Sequence, residues 1–182
     1  IGDNPVEQGQ SIVPAGKYKE VSARGSFTCA IDASDHIVCW GAGSPDSALV
    51  FPNFNQSSPP QGTYKSISAG EAHACAIALD TSKVVCWGAG ATAAGCFPNR
   101  NYECGQAEGA PGPFVEVASG EQHSCALRED GTIACWGVGK TGEMCAPGAG
   151  NNMFDCGQAK PPDATKERFV RIRAGWQFTC GV

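Results

Sequence analysis

The sequence predicts an all-β protein built from repeated sheets, and three observations lead to this fold class. Charged residues make up only 17% of the 182 residues, compared with about 25% in typical globular domains. Glycine and proline, which favour turns, number 24 and 12. Four similar segments follow one another along the chain, and their first residues are 46, 50 and 55 positions apart. Similarity at such a period is typical of repeat architectures.

Each repeated unit contains the same elements in the same order. The first part is an alternating strand, a Gly-containing bend and a short strand with a cysteine. Its four copies are YKEVSARGSFTCAI (18–31), YKSISAGEAHACAI (64–77), FVEVASGEQHSCAL (114–127) and FVRIRAGWQFTCGV (169–182). A tight turn then leads to a strand ending in Cys-Trp-Gly, followed by a long loop. Three or four strands in about 50 residues are typical of one propeller blade, so we predict β-propeller-type repeats.

Three motifs recur in these units: (S/A)-G-x-x-H-x-C-A-(L/I), an Asp-Gly turn, and Cys-Trp-Gly with Gly-Gln further downstream (9–10, 105–106 and 157–158). With them the sequence resembles the repeats of the regulator of chromosome condensation family, in a cysteine-rich extracellular variety. The resemblance covers nearly the whole chain and implies a propeller. The family includes a nucleotide exchange factor, enzyme inhibitors and receptor ectodomains, so the resemblance implies little about function.

The predicted organisation is a single array of units. Residues 1–16 resemble the tail of a unit, three complete units occupy 17–62, 63–112 and 113–167, and residues 168–182 begin a fourth. From the partial units we expect either a section of a longer protein or ends completed by another copy.

The eleven cysteines are expected to form disulfides in an oxidising compartment. Cys125 and Cys135 fall opposite each other if residues 129–131 form a three-residue hairpin loop, and the same holds for Cys29 and Cys39 around residues 33–35. Cys75 and Cys86 require a four-residue loop over residues 79–82. No C-x2-C pair occurs, which disfavours a zinc or thioredoxin-like site.

The long loops add two further predicted disulfide pairs, Cys96 with Cys104 and Cys145 with Cys156. In the first unit, FPNFNQ (51–56) lines up with FPNRNY (97–102), and the loop cysteines are missing. Cys180 remains unpaired, or forms an intermolecular bond.

No residue pattern indicates catalysis, and we predict a protein that is not an enzyme and has no cofactor and no metal site. His73 and His123 occupy a position that Phe27 and Phe178 fill in the other units, which favours a packing role. The acidic residues Glu71, Glu121, Glu129 and Asp130 lie in or beside bends and are expected to be solvated. A hydrolase that uses these histidines and glutamates is the least favoured alternative.

The surface composition narrows the possible partners. With a net charge of −5 and no basic run, nucleic-acid binding is not expected. No apolar stretch is long enough for a membrane span.

Asn55 begins an Asn-Gln-Ser sequon, so an N-glycan is possible there. The tryptophans of the Cys-Trp-Gly motif are expected between blades. The predicted interface residues are Phe51, Phe54, Phe97, Tyr102, Met153, Phe154 and Trp176.

These observations predict a secreted or cell-surface protein with a structural or recognition role. The first hypothesis is a subunit of an extracellular fibre or surface layer, which would bind other copies of itself. The alternative is a ligand- or protein-binding ectodomain of a larger propeller, which would bind another extracellular protein.

Overall fold

A computed structural model describes residues 8–43, 53–91, 104–139 and 157–182, and the regular structure within these ranges consists of β-strands. The strands are β1 (Tyr18–Arg24), β2 (Phe27–Asp32), β3 (Ile37–Gly41), β4 (Tyr64–Ala69), β5 (His73–Ala78), β6 (Val84–Gly88), β7 (Glu116–Ser119), β8 (His123–Leu127), β9 (Ile133–Gly137), β10 (Ile172–Ala174) and β11 (Thr179–Gly181). Within these ranges there is no helix of the length and hydropathy that a membrane crossing requires.

The strands form antiparallel sheets that follow the repeats. Three sheets have the strand orders β1-β2-β3, β4-β5-β6 and β7-β8-β9, which we name blades 1, 2 and 3. Strands β10 and β11 pair in a fourth sheet, blade 4. The predicted fold class, all-β with propeller-type repeats, is confirmed.

The hydrophobic core lies between neighbouring blades. Phe27 and Ile31 from the middle strand of blade 1 pack with Ile67 and Trp87 of blade 2. The next two interfaces are built in the same way, with Ile77, Phe114 and Trp136 in one and Leu127 and Ile172 in the other. A single blade has no core of its own, so its stability depends on its neighbours.

The hairpin between the second and third strand of each complete blade carries a disulfide. The bonded pairs are Cys29–Cys39, Cys75–Cys86 and Cys125–Cys135, and each pair is directly opposed in the strand register. The turns contain residues with positive φ, Asp35 at 67°, Ser82 at 54° and Gly131 at 82°. A residue in this left-handed conformation lets the chain turn within a short loop. The length of that loop sets the strand register in which the two cysteines are opposed.

The other five cysteines lie outside the three hairpin pairs. Cys104 is disulfide-bonded. Cys96, Cys145 and Cys156 lie outside the described residues, so both loop pairings stay predictions. Cys180 on β11 is an exposed free thiol.

Candidate recognition surface

The first strand of each blade lines a groove of about 840 Å³. These strands, β1, β4, β7 and β10, are sheet edges, so one side of each carries backbone groups that have no partner within its own sheet. We name this surface the inner groove. It combines residues that are far apart in the sequence.

Side chains of blades 1, 2 and 3 hydrogen-bond to the backbone edge of the first strand of the next blade. Ala69 N donates to Ser22 Oγ at 2.8 Å, and Ser119 N donates to Ser68 Oγ at 2.9 Å. Carboxylates make the same kind of contact. Ile67 N donates to Glu20 Oε1 at 3.3 Å, and Ile172 N donates to Glu116 Oε2 at 2.7 Å. These caps satisfy edge N–H groups that would otherwise be open to another strand.

Two exposed arginines converge on one carboxylate at the blade 4 side of the inner groove. Arg171 lies 3.6 Å from Glu116 Oε1, and Arg173 also binds this oxygen. The Glu116 side chain is only 13% exposed, whereas the two arginines are 69% and 72% exposed. Arg24 reaches across from blade 1 and donates to the carbonyl of Ala174 at 3.4 Å. One carboxylate therefore meets two guanidinium groups, which leaves positive charge facing solvent.

The inner groove differs in charge from the rest of the molecule. Its charged lining residues are Glu20, Arg24, Lys65, Glu116, Arg171 and Arg173. Four of these are basic and two are acidic, in a chain whose net charge is −5. No basic run in the sequence signals this arrangement, because its arginines come from β1, β10 and the residue before β10.

The two histidines that were the candidates for hydrolysis are buried between blades. His73 Nε2 lies 2.9 Å from Ser124 Oγ, and His123 Nε2 lies 2.9 Å from Thr179 Oγ1. A histidine beside a serine has the composition of a nucleophilic pair. However, His73 and Ser124 are both 0% exposed, and the serine hydroxyl donates to the Gln106 carbonyl at 3.1 Å. A substrate cannot reach this hydroxyl in the folded state.

Burial controls the protonation of both rings. It lowers the pKa of His73 to about 3, with smaller contributions from the neighbouring His123 and Arg24. Burial also lowers the pKa of His123 to about 4, and Arg24 contributes in the same direction. Both rings are therefore neutral at physiological pH.

Of the acidic candidates, Glu129 and Asp130 are exposed and Glu71 is half-buried, whereas Glu121 is only 9% exposed, so the expectation that Glu121 is solvated is wrong. Glu121 Oε2 accepts a hydrogen bond from Gln177 Nε2 at 3.3 Å, and Asp130 binds both the backbone N–H and the hydroxyl of Thr132. These hydrogen bonds from Thr132 hold the pKa of Asp130 below its usual value. Among the described residues, no three His, Cys, Asp or Glu side chains are grouped so that they could hold a metal ion.

A glutamine in the connection before each complete blade organises the blade interface. The carbonyls of Gln10, Gln56 and Gln106 accept hydrogen bonds at 2.8, 2.8 and 2.9 Å from the indole nitrogens of Trp40, Trp87 and Trp136, respectively. The preceding residues Gly9 and Gly105 have φ of 77° and 75°, and Asn55 has 60°. Asn55-Gln56 is therefore the Gly-Gln motif of the first unit.

This equivalence corrects the alignment of residues 51–56 with residues 97–102, which placed Gln56 opposite Tyr102. Gln56 instead corresponds to Gln106, four residues later. The signal that could have shown it is the tolerance of asparagine for the left-handed conformation, which lets Asn55 replace a glycine.

The predicted surface residues are only partly covered by the structure. Trp176 is 61% exposed in the bend of blade 4, Asn55 is exposed, and Phe54 is half-buried. The other predicted interface residues, Phe51, Phe97, Tyr102, Met153 and Phe154, lie outside the described residues. Exposure of Asn55 is compatible with an N-glycan, which stays a prediction.

The stacked sheets, the repeated disulfides and the Trp–Gln contacts define a β-propeller-type repeat protein. Residues 114–142 match the family model of the regulator of chromosome condensation (RCC1) repeat. This match, over the first part of the third unit, confirms the resemblance predicted from the motifs. Comparison with curated proteins gives no match.

Solved structures with the same fold include two plant receptor ectodomains and a yeast protein. The CRINKLY WD40 ectodomain of the Arabidopsis thaliana receptor kinase ACR4 is 24% identical with a TM-score of 0.58, and the alignment covers 92% of this chain and 46% of that one. The ectodomain of the Physcomitrella patens receptor kinase CR4 is 21% identical with a TM-score of 0.57, with coverage of 92% and 36%. Yeast RCC1 (Prp20), solved with bound Kap60, is 20% identical with a TM-score of 0.60, with coverage of 93% and 43%. This chain spans less than half the length of each.

Proposed function

We propose that this chain is an extracellular, non-enzymatic recognition module that binds an acidic segment of a partner protein in the inner groove. The observation that carries the proposal is the pair Arg171 and Arg173, which share the single carboxylate of Glu116 and remain mostly exposed. A guanidinium group in this state has unused donors arranged for a carboxylate.

An acidic peptide fits this surface better than a nucleic acid does. The groove has only two basic side chains in excess, and the molecule as a whole is negative. A long polyanion would be repelled by the remaining surface. A peptide with a few carboxylates would contact the arginines alone.

Two observations support the extracellular part of the proposal. The hairpin disulfides are typical of an oxidising compartment. The same fold occurs in the ectodomains of two receptor kinases. The inaccessible His73–Ser124 pair supports a role without catalysis.

The proposal can be tested with a labelled peptide of alternating glutamate and serine, using fluorescence anisotropy at low and high ionic strength. We expect saturable binding that weakens as salt is added, because exposed charge pairs are screened. The double variant Arg171→Ala/Arg173→Ala should bind about tenfold more weakly, since each exposed ion pair contributes up to about 1 kcal/mol.

The matched control is Lys160→Ala/Lys166→Ala, which removes the same charge from exposed positions outside the groove. It should bind like the original chain. Equal losses in the two double variants would refute the groove as the site. A single-stranded oligonucleotide that bound more tightly than the peptide would refute the class of partner.

A second candidate function is self-assembly into an extracellular fibre or surface layer. Exposed apolar side chains on blade 4 favour it: Val170 is 77%, Phe178 58% and Val182 80% exposed. Large exposed apolar patches usually mark an interaction site. Light scattering of the purified chain over a wide concentration range tests this candidate. Assembly that Phe178→Ser abolishes supports it, and a monomer at all concentrations rejects it.

A further inference from the structure

Adjacent blades meet at a joint where a ring of one blade faces the residue before the first hairpin cysteine of the next. The three joints pair Phe27 with Ala74, His73 with Ser124, and His123 with Thr179. Phe27 and Ala74 belong to one buried apolar cluster, whereas each imidazole lies within hydrogen-bond distance of a hydroxyl. The joints therefore fall into one apolar and two polar types.

The hydrogen bonds at the middle joint determine where the protons lie. The single hydroxyl proton of Ser124 is donated to the Gln106 carbonyl at 3.1 Å. Ser124 Oγ must then accept the hydrogen bond from His73 Nε2, because the nearby Cys75 sulfur belongs to a disulfide and has no proton. His73 is thus the Nε2–H tautomer.

A proton on the second ring nitrogen, Nδ1, would have no hydrogen-bond acceptor. Within the described residues, Nδ1 of His73 and Nδ1 of His123 are buried and have no hydrogen-bond partner. Protonation would create a charged donor without an acceptor, which is costly in a buried site.

The charged groups that act on the two rings do not compensate this charge. Arg24 acts on both rings, and His123 acts on His73; both interactions oppose the imidazolium. Glu71 and Glu121 lie in the adjoining bends, and Glu121 binds Gln177. Cys180, which follows Thr179 in β11, is an exposed thiol.

We propose that the His73–Ser124 and His123–Thr179 contacts are proton-sensitive joints that make the stacking of blades 2, 3 and 4 weaken in mild acid. The Phe27–Ala74 joint has no ionisable group, so the contact between blades 1 and 2 lacks this sensitivity. The device would loosen the later blades upon transfer from a neutral to an acidic compartment. The inference does not rest on the proposed binding of a partner.

The sign and size of the effect follow from linkage. The rings have pKa values of about 3 and about 4 when folded, and about 6.5 when unfolded. The unfolded chain therefore binds more protons, and stability falls as the pH drops below about 6.5. Between about pH 7.5 and about pH 5, the unfolding equilibrium constant should rise about 30-fold for each histidine.

The double variant His73→Phe/Ser124→Ala tests the middle joint, because it reproduces the native Phe27–Ala74 pair. Urea unfolding at the two pH values gives the rise of the unfolding equilibrium constant from about pH 7.5 to about pH 5. In the double variant this rise, the acid effect, should be about 30-fold smaller than in the original chain. His36→Gln removes an exposed histidine and should leave the acid effect unchanged. If His36→Gln reduces the effect as much as the double variant does, the proposal is wrong.

If the variant does not fold, a measurement on the unaltered chain tests the proposal. The slope of unfolding free energy against pH gives the number of protons taken up on unfolding. Near pH 5.5 the two histidines should together take up close to two protons on unfolding. Carboxylates contribute little to the slope at this pH, because their pKa values are about 4. A slope corresponding to less than about one proton would overturn the proposal.

Discussion

Removal of the Ser22 hydroxyl tests whether the side-chain caps hold neighbouring blades together. Ser22 Oγ accepts the hydrogen bond of Ala69 N at 2.8 Å, and Ala69 is only 5% exposed. In Ser22→Ala, this buried N–H would lose its acceptor. A buried donor without a partner costs about 1–3 kcal/mol. The half-buried position of Ser22 favours the lower part of this range, so we expect a loss of about 1–2 kcal/mol.

Thermal unfolding followed by circular dichroism measures this loss. In a chain of this length, 1 kcal/mol corresponds to about 2–4 °C, so Tm should fall by about 3–6 °C. Ser66→Ala is the matched control: Ser66 is also half-buried on an inner strand, but its hydroxyl binds Glu20 at 3.5 Å and caps no backbone group. Equal losses for Ser22→Ala and Ser66→Ala would show that the caps do not stabilise the blade contacts.

Three further substitutions test other contacts. Asn55→Ala should cost about 1 kcal/mol because φ is 60° there, whereas Asn55→Gly should be nearly neutral; chemical denaturation distinguishes them. Replacement of both Cys125 and Cys135 by serine should lower the unfolding free energy by about 3 kcal/mol, since the bond closes a loop with a separation of 10; an unchanged urea midpoint would contradict this. Gly90→Ala should lower the unfolding free energy by about 1 kcal/mol or more, because φ is +83° there and the new Cβ would displace the Gln106 side chain that accepts the hydrogen bond of Cys104 N; an unchanged urea midpoint would refute this expectation.

The fold could be predicted from the sequence because its determinants are local. Hairpin loop length, alternation and the spacing of Cys125 and Cys135 all act within one unit, and they define the blade and its register. The repeat then supplies the stacking, because every unit has the same apolar faces. The structure confirms the fold class for these reasons.

The candidate site could not be predicted because it depends on contacts between units. Arg24 and Arg173 lie in different units, and both line the inner groove only because the blades pack against one another. The orientation of His73 toward Ser124 likewise requires the geometry of the joint. Comparison of the copies did indicate that this position packs, but it gave no information about the hydroxyl in the next blade.

The caps between blades all point in one direction along the chain. In the contacts of Ser22, Ser68, Glu20 and Glu116, the acceptor belongs to the earlier blade and the backbone N–H to the later one. A ribosome releases the earlier blade first, so each blade emerges next to a neighbour that already presents its acceptors. The direction of these side-chain caps therefore matches the order in which the blades are synthesised. Loss of blade 1 would remove the side chains that cap blade 2. Loss of blade 4 would leave all the caps of blades 2 and 3 in place.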